Sequence, residues 1–381
     1  MTANARERVA EAIEQMPLVD HHVHGMLADP LAEADLLDAM VQASHVEDRA
    51  AVFDSQFGFA VRRWCAPALG LEPFADAAEY LAARSELGFD EATSRLLRAS
   101  GITTYLIDGG HAPERLVPDE RMMRLADARS HPIVRLETLA EGAMSGASSG
   151  ADFLDRLEGA LTAASERAVG YKTVAAYRTG LALEPARPTA AEVGGAADAW
   201  FAAGDPRLTD ATVIRHLAWW ALEQGSVLQV HVGFGDGDLR LDRADPFLLQ
   251  PFLAATQHAG GRVVLLHCYP FVREAGMLAH LYPHVHLDAG LALGQVGANA
   301  DVVLRETLDL TPFSKLLFST DAWGAPERVL VGAAAWRNAA TDVLADYVDR
   351  HGWPADEAIR IAELMAWRNA EALYGRHFVT P

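Results

Sequence analysis

Short apolar runs that end in a polar or ionisable residue recur along the chain, with helical segments such as Asp210–Glu223 between them. The runs have strand length and are bounded by Gly, Pro or polar residues, which is typical of buried strands. Strands that alternate with helices form a parallel sheet with right-handed crossovers. Eight runs therefore predict an α/β fold closed as a (β/α)8 TIM barrel: Met16–His22, Thr103–Asp108, Ile133–Glu137, Ala168–Lys172, Ser226–His231, Arg262–His267, Val285–Asp288 and Lys315–Asp321. An open doubly wound sheet is the alternative, but no Gly-rich phosphate-binding loop follows any run.

The spacing between the first two runs is unusual, because roughly 80 residues separate them and a barrel helix needs far fewer. The segments Pro30–Met40, Asp76–Leu87 and Glu91–Ser100 have helical patterns. We therefore expect one barrel domain over residues 1–381 with a helical insertion at about 27–100. A second long, loop-rich connection follows the fourth run, where barrel enzymes build substrate contacts.

The charge of the chain restricts its partners. The formal net charge is −20, and nucleic acids or anionic membranes require clustered Lys and Arg. No apolar run approaches the ~20 residues of a membrane span, and the first 16 residues lack a signal-peptide core. The two cysteines, Cys65 and Cys268, are far apart and form no disulfide framework. We expect a cytoplasmic protein with a small-molecule substrate, whose exposed barrel helices could support a homodimer.

The first candidate site residues lie in Asp20-His21-His22-Val23-His24. Residues two apart in a strand point to one face, so His22 and His24 can bind one ion together. Asp20 shares that face and could orient an imidazole, whereas His21 should point outward to the helices. A His-x-His pair alone is a weak signal, and core packing explains most such pairs.

Three more ionisable residues end predicted strands. His231 and His267 end consecutive apolar runs, so both would lie at the C-terminal mouth where barrel active sites form. Either one alone could equally be a core histidine with satisfied hydrogen bonds. Asp321 ends the eighth run, and its carboxylate could ligate a metal and take a proton from bound water, or cap the next helix.

Lys172 ends the fourth run in a chain whose only other lysine is Lys315. The choice of Lys where this chain otherwise uses Arg indicates a role that a guanidinium does not fill. An amine can titrate, or it can become a carbamate that bridges two metals. The structural alternative is an ion pair inside the barrel.

The order of these residues, His-x-His on the first strand, then Lys, His, His and Asp on the fourth, fifth, sixth and eighth, resembles the ligand layout of the amidohydrolase superfamily. The resemblance spans the whole barrel. The segments 170–181, 231–236, 267–271 and 318–321 resemble one branch, the amidohydrolase-like half of nodulin/glutamine-synthetase fusion proteins of the FluG type. This chain ends at Pro381, so we expect no glutamine-synthetase half.

The resemblance implies an enzyme with one or two divalent metals, Zn²⁺ first and Mn, Fe or Ni as alternatives. It implies metal ligation by His22, His24, His231 and Asp321, with His267 as a ligand of a second metal or a polariser of the substrate. Asp321 would be the general base that acts on metal-activated water. Lys172 would be a carbamate ligand or a free amine that contacts a substrate carboxylate. Candidate substrate contacts are Arg178, Tyr177 and Trp323, although Arg178 could equally form a structural salt bridge.

The same resemblance gives the expected reaction, hydrolysis of the C–N bond of a small carboxylated amide, with γ-glutamyl amides as candidates by analogy with the fused relatives. The alternative is a metal-dependent decarboxylase or lyase of a small aromatic acid on the same ligand frame. A barrel that only binds or scaffolds would be expected to lack some ligands, and here all are present.

Overall fold

The parallel strands predicted from the apolar runs are present. The computed structural model describes residues 2–28, 33–41 and 49–375. The main sheet has seven parallel strands in the order β1-β3-β4-β5-β6-β7-β8, and β2 pairs with β9 in a small second sheet. The strands are β1 Leu18–Val23, β2 Gly25–Met26, β3 Ile102–Asp108, β4 Arg129–Arg135, β5 Gly170–Thr173, β6 Val227–Val232, β7 Arg262–His267, β8 Val285–Leu287 and β9 Trp323–Gly324.

The eighth predicted strand closes the barrel through individual hydrogen bonds. Leu316 forms a parallel bridge with Leu287, and the amide of Leu317 donates to the Leu287 carbonyl at 3.0 Å. On the other side, the amide of His21 donates to the Phe318 carbonyl at 3.2 Å. Residues 316–321 thus lie between β8 and β1, and the fold is a (β/α)8 barrel.

The helices surround this barrel. They are α1 Thr2–Glu14, α2 Glu33–Met40, α3 Gln56–Ala60, α4 Ala66–Ala68, α5 Ala77–Leu87, α6 Phe89–Ala99, α7 Asp119–Ala126, α8 Leu136–Ser145, α9 Gly150–Ser165, α10 Ala175–Arg178, α11 Ala190–Ala203, α12 Ala211–Glu223, α13 Gln250–Thr256, α14 Val272–Leu281, α15 Gly290–Val296, α16 Ala300–Thr307, α17 Pro326–His351, α18 Ala355–Glu363 and α19 Asn369–Tyr374, with π-helical turns at Val61–Cys65 and Leu364–Arg368. Across the described residues, no helix is both long and apolar enough to cross a bilayer.

Several helices lie in the described part of the connection between β1 and β3. The predicted helix Pro30–Met40 is α2, and residues 30–32 lie outside the described residues. Asp76 caps α5 by accepting a hydrogen bond from the amide of Glu79. These helices have their own apolar cluster, which packs on Leu330 and Val331 of α17. The helices of this connection therefore pack against α17, the helix that follows the eighth strand.

The predicted strand Ile133–Glu137 is wrong at its end. β4 stops at Arg135, and Glu137 lies in the first turn of α8. Its buried carboxylate accepts hydrogen bonds from Thr173 Oγ1 at 2.5 Å and the Val174 amide at 3.0 Å. From the first turn of α8, Glu137 therefore anchors the loop after β5.

The barrel interior has a small core of its own. It joins residues of β1, β3, β4, β6 and β7 to Leu317 and to Ala370 and Tyr374 of α19. Only the inside of a closed barrel brings these strands together. The side-chain amide of Asn369 donates to the carbonyls of Phe313 and Leu316, at the start of the eighth strand. α19 therefore covers the N-terminal end of the barrel, opposite the mouth.

Candidate metal centre and cavity

His22, His24 and Asp321 form the centre of the site at the C-terminal mouth of the barrel. One ligand atom from each lies within 4.8 Å of the other two. Asp321 Oδ1 is 3.1 Å from His22 Nε2 and 3.2 Å from His24 Nε2. His22 is fully buried, while His24 and Asp321 border the cavity above. The predicted His-x-His pair and the carboxylate of the eighth strand therefore converge.

Lys172 and His267 complete the inner ring. Lys172 Nζ is 3.2 Å from His22 Nε2, and its side chain is buried although it borders the cavity. His267 Nε2 is 3.8 Å from Asp321 Oδ1, and the His267 ring lies 5.6 Å from the His22 ring. Both residues stand at the ends of their strands, so strand position alone carries them to the centre.

His231 lies one step further out. Its ring centroid is 4.5 Å from that of His267 and 4.7 Å from that of Tyr177. A Cβ built on Gly235 would lie 2.8 Å from His231 Nε2 and 2.1 Å from the Tyr177 hydroxyl. The loop after β6 can approach this ring so closely because residue 235 has no side chain.

Burial favours the neutral form of the histidines at this centre. Burial lowers the pKa of His22 to about 3 and that of His267 to about 4, and it lowers the pKa of His231 well below its usual value. Burial also lowers the pKa of Lys172 to about 8. Neutral imidazole is the form that ligates a metal. The electrostatics therefore suit metal binding.

The ring tautomer of His24 is fixed by a backbone carbonyl. His24 Nδ1 lies 2.9 Å from the Asp108 carbonyl oxygen, which can only accept, so Nδ1 carries the proton. The Nε2 lone pair then faces Asp321 Oδ1. Asp108 is itself held by Arg135 at 2.7 Å, and although burial opposes it, Arg135 keeps the pKa of Asp108 well below its usual range.

A divalent metal fits these residues. Among the described residues, His231 Nε2, both ring nitrogens of His267 and Asp321 Oδ1 are buried without a hydrogen-bond partner. The His24 lone pair and a carboxylate oxygen, both acceptors, lie 3.2 Å apart. A cation between such atoms satisfies them, and imidazole with carboxylate is a donor set that suits Zn, Mn, Fe and Ni.

A cavity of about 390 Å³ opens above the centre, and it is rich in charge. Its cationic lining besides Lys172 consists of four arginines, and its acids besides Asp321 are three aspartates: Arg135, Arg178, Arg207 and Arg328, with Asp38, Asp236 and Asp238. Such a lining suits a small, polar and charged ligand.

The three predicted substrate contacts all line this cavity. Arg178 also pairs with Glu141 at 3.0 Å, so the salt-bridge alternative for this residue is present as well. The Tyr177 hydroxyl accepts a hydrogen bond from the Asp236 amide at 3.0 Å. The Trp323 ring lies 5.5 Å from the His111 ring.

Two expectations about β1 are wrong. Asp20 does not orient an imidazole, because its carboxylate accepts hydrogen bonds from the Thr320 amide at 3.0 Å and the Thr320 hydroxyl at 2.5 Å. His21 does not face the outer helices, because it contacts Asp288 and Tyr374 in the barrel interior. The register of β1 shifts between Asp20 and Val23, and this irregularity breaks the alternation that the prediction assumed.

Several polar residues of the site were not predicted as such. Asp108 and Asp288 end apolar runs as the chosen ligands do, so the same signal marked them. Gln229 was visible as a lone amide inside a strand, and its Oε1 lies 2.8 Å from His22 Nδ1. Arg328 gave no signal beyond its place after Asp321.

Comparisons with known proteins identify the family of this chain. An amidohydrolase family matches residues 113–376, a range that excludes His22 and His24. Protein fluG of Emericella nidulans is 34% identical over 221 residues, which cover 54% of this chain and 25% of that protein. The chain thus spans about a quarter of the length of this curated relative.

Solved structures extend the likeness to the whole chain. A Lactobacillus casei protein described as a metal-dependent hydrolase superposes with a TM-score of 0.85 and 28% identity, over 96% of this chain and 97% of that one. The uronate isomerase of Bacillus halodurans, with a TM-score of 0.65 and 15% identity over 98% and 97% of the two chains, shares the fold. With the barrel, the converging histidines and the family match in place, the chain belongs to the amidohydrolase family.

Proposed function

We propose that this protein is a metal-dependent hydrolase that cleaves the C–N bond of a small carboxylated amide. The observation that carries the proposal is the position of the His22, His24 and Asp321 cluster beneath a cavity that arginines line. His231, His267 and Lys172 are the further candidate ligands at this centre. A bound divalent cation would polarise the substrate carbonyl and lower the pKa of a water molecule towards neutrality.

Asp321 is the proposed general base. Burial raises the pKa of this carboxyl, whereas a bound divalent cation would lower it. The carboxylate is therefore ionised near neutral pH and borders the cavity. It would accept a proton from the attacking water as the new C–O bond forms, and then deliver that proton to the nitrogen as the C–N bond breaks.

Arg328 is the proposed contact for a substrate carboxylate. It is buried at the first turn of α17, seven residues after the base, and lines the cavity. Guanidinium groups bind carboxylates through two parallel hydrogen bonds. Arg135 and Arg178 line the same cavity and pair with Asp108 and Glu141, while Arg328 Nη1 donates to the Ala39 carbonyl at 3.4 Å. We assign to Lys172, as a free amine or a carbamate, the second contact to substrate or metal.

The mixed charge of the cavity favours one group of amides. A γ-glutamyl amide has a carboxylate and an ammonium group on its α-carbon, which two methylene groups separate from the scissile amide. The arginines suit the carboxylate, and the aspartates at positions 38, 236 and 238 suit the ammonium group. A simple aromatic acid, the substrate of a decarboxylase, has no ammonium group that could pair with these aspartates.

The test combines metal analysis with a substrate screen. We expect at least one equivalent of Zn²⁺, Mn²⁺, Fe²⁺ or Ni²⁺ after purification from supplemented medium, and release of amine from γ-glutamyl amides or N-acyl amino acids. The matched controls are Asp321→Asn and the surface variant Asp309→Asn. Release of CO2 from aromatic carboxylates without amide cleavage would replace the hydrolase with the lyase. Less than one equivalent of metal, with no stabilisation by added Zn²⁺, would refute the proposal.

A further inference from the structure

A continuous chain of buried hydrogen bonds connects His22 to the helix at the opposite end of the barrel. We propose that Gln229 and Tyr374 are positioning residues, which fix the ring tautomer of His22 and so direct its Nε2 lone pair towards the candidate metal site that it forms with His24 and Asp321. The expected effect on metal binding rests on the metal centre of the proposed function. The assignment of the His22 tautomer rests on the hydrogen-bond geometry alone.

The orientation of the Gln229 amide can be derived from its neighbours. Its nitrogen lies 2.8 Å from the His21 carbonyl oxygen, which only accepts, so this atom is the donating NH2 group. The other atom, Oε1, therefore accepts the hydrogen bond from His22 Nδ1 at 2.8 Å. His22 thus has its proton on Nδ1 and a lone pair on Nε2.

The Nε2 side of His22 agrees with this tautomer. Lys172 Nζ lies 3.2 Å from this atom, and with the His22 proton on Nδ1 the Lys172 amine donates to Nε2. Asp321 Oδ1 lies 3.1 Å from the same atom. The lone pair therefore points to the place where the ligand atoms converge.

Tyr374 gives the chain a single direction. The second hydrogen of the Gln229 NH2 group points to the Tyr374 hydroxyl oxygen at 2.9 Å. His21 Nδ1 lies 3.2 Å from the Tyr374 hydroxyl and His21 Nε2 lies 2.8 Å from Asp288 Oδ2. A neutral His21 donates from Nε2 to this carboxylate and so accepts the phenolic proton at Nδ1. A turned Gln229 amide would break the order of donors at each of these steps.

This series of hydrogen bonds ends at His267, a second residue of the centre. Asp288 Oδ1 accepts a hydrogen bond from the backbone amide of His267 at 2.8 Å. His267 has a φ of 68°, a left-handed conformation that few residues other than glycine adopt. The network that sets the tautomer of His22 therefore also holds the strained backbone of His267.

The fold makes room for Tyr374 in the barrel. A Cβ on Gly170, the first residue of β5, would lie 3.2 Å from Tyr374 Cε1 and 3.1 Å from Ile133 Cδ1. These are tight contacts, so a side chain at position 170 would crowd the tyrosine. α19 thus covers the N-terminal end of the barrel, and its Tyr374 hydroxyl contacts Gln229, which in turn contacts His22 at the mouth.

The test uses Gln229→Met and Tyr374→Phe, with Tyr105→Phe as a matched control. Tyr105 is a buried tyrosine of β3 outside the chain of hydrogen bonds. Loss of a partner that orients a ligating histidine weakens metal binding by about 10–100-fold. We expect a loss of this size in Zn²⁺ affinity for Gln229→Met, a smaller loss for Tyr374→Phe and none for Tyr105→Phe, measured by competition with a chromophoric chelator.

A second measurement does not need the metal. Long-range ¹H–¹⁵N spectra of the metal-free protein report which ring nitrogen is protonated, and His22→Gln assigns the signals. We expect a pure Nδ1–H pattern for His22 in the native protein and a mixed pattern in Gln229→Met. Native affinity and a native pattern in both network variants would overturn the proposal, as would an equal loss in Tyr105→Phe. If the native protein binds no metal, the metal centre fails and the tautomer pattern alone decides this proposal.

Discussion

A buried ion pair joins the helical insertion to the wall of the cavity, and its removal gives a sharp prediction. Arg84 Nε of α5 lies 2.6 Å from Glu327 Oε1 at the start of α17, and the Tyr80 hydroxyl donates to the same oxygen at 2.9 Å. The Glu327 side chain is fully buried and that of Arg84 is 9% exposed. Arg328, the proposed carboxylate contact, is the next residue.

Arg84→Met should destabilise the fold strongly. The change keeps the apolar stem but leaves Glu327 as a buried carboxylate whose one remaining side-chain partner among the described residues is the Tyr80 hydroxyl. Breaking a buried pair in this way costs about 3–5 kcal/mol of the free energy of unfolding. The double variant Arg84→Met/Glu327→Met removes both charges and should recover most of that loss, because replacing a whole buried pair by apolar residues is close to neutral.

Urea unfolding followed by fluorescence measures the change. The control is Arg95→Met on the neighbouring helix α6, where Arg95 pairs with Glu91 at 2.7 Å but both side chains are about half exposed. A surface pair of this kind contributes less than about 0.5 kcal/mol. The reasoning is refuted if Arg84→Met loses no more stability than Arg95→Met, or if the double variant is less stable than Arg84→Met.

Four further changes test the site and the fold. Asp321→Asn should keep the fold and lower kcat by about 10²–10⁴-fold in the amide assay, because it removes the base. Lys172→Arg should lower the metal stoichiometry from two to one if Lys172 is a carbamate; unchanged stoichiometry with a raised KM identifies a free amine. Arg328→Met should lower kcat/KM for carboxylated amides by about 10–100-fold, because the substrate loses a charged hydrogen bond. The metal content of this variant should be unchanged. Burial lowers the pKa of His284 to about 4, so folded His284 resists protonation and stability is lost as the pH falls from 6.5 to 4. His284→Gln should reduce that acid loss, measured by urea unfolding at both pH values, by roughly 2 kcal/mol.

The sequence was sufficient to predict the barrel, because a parallel strand that is buried on both faces must be an uninterrupted apolar run. It was less informative at strand ends. Glu137 follows such a run directly, yet it turns into α8 to hold the loop at Thr173. A carboxylate that serves a neighbouring loop and one that continues a strand look the same in sequence.

The candidate ligands were predictable for a related reason. Parallel strands bring their C-terminal ends to one mouth, so ionisable residues such as His231 and Asp321 at those ends must converge. Gln229 could not be assigned a role in this way, because its contact with His22 spans 207 positions and depends on its orientation inside the barrel. The register shifts in β1 likewise have no local pattern, so the orientations of Asp20 and His21 could not be predicted from the sequence.

Backbone strain explains why the residues of this centre form a set. Asp321 has a φ of 50°, in the left-handed region where residues other than glycine each cost about 1 kcal/mol or more. Its amide donates to the His22 carbonyl at 3.0 Å, as the amide of strained His267 donates to Asp288. Each strained strand end is thus held by another residue of the same network. Strain of this kind persists only where the surroundings overdetermine it, so loss of one member should loosen the others. A single histidine motif is a weak signal because it cannot form this geometry by itself. The ordered set is a strong signal because its members fix one another's backbone and side chains through hydrogen bonds.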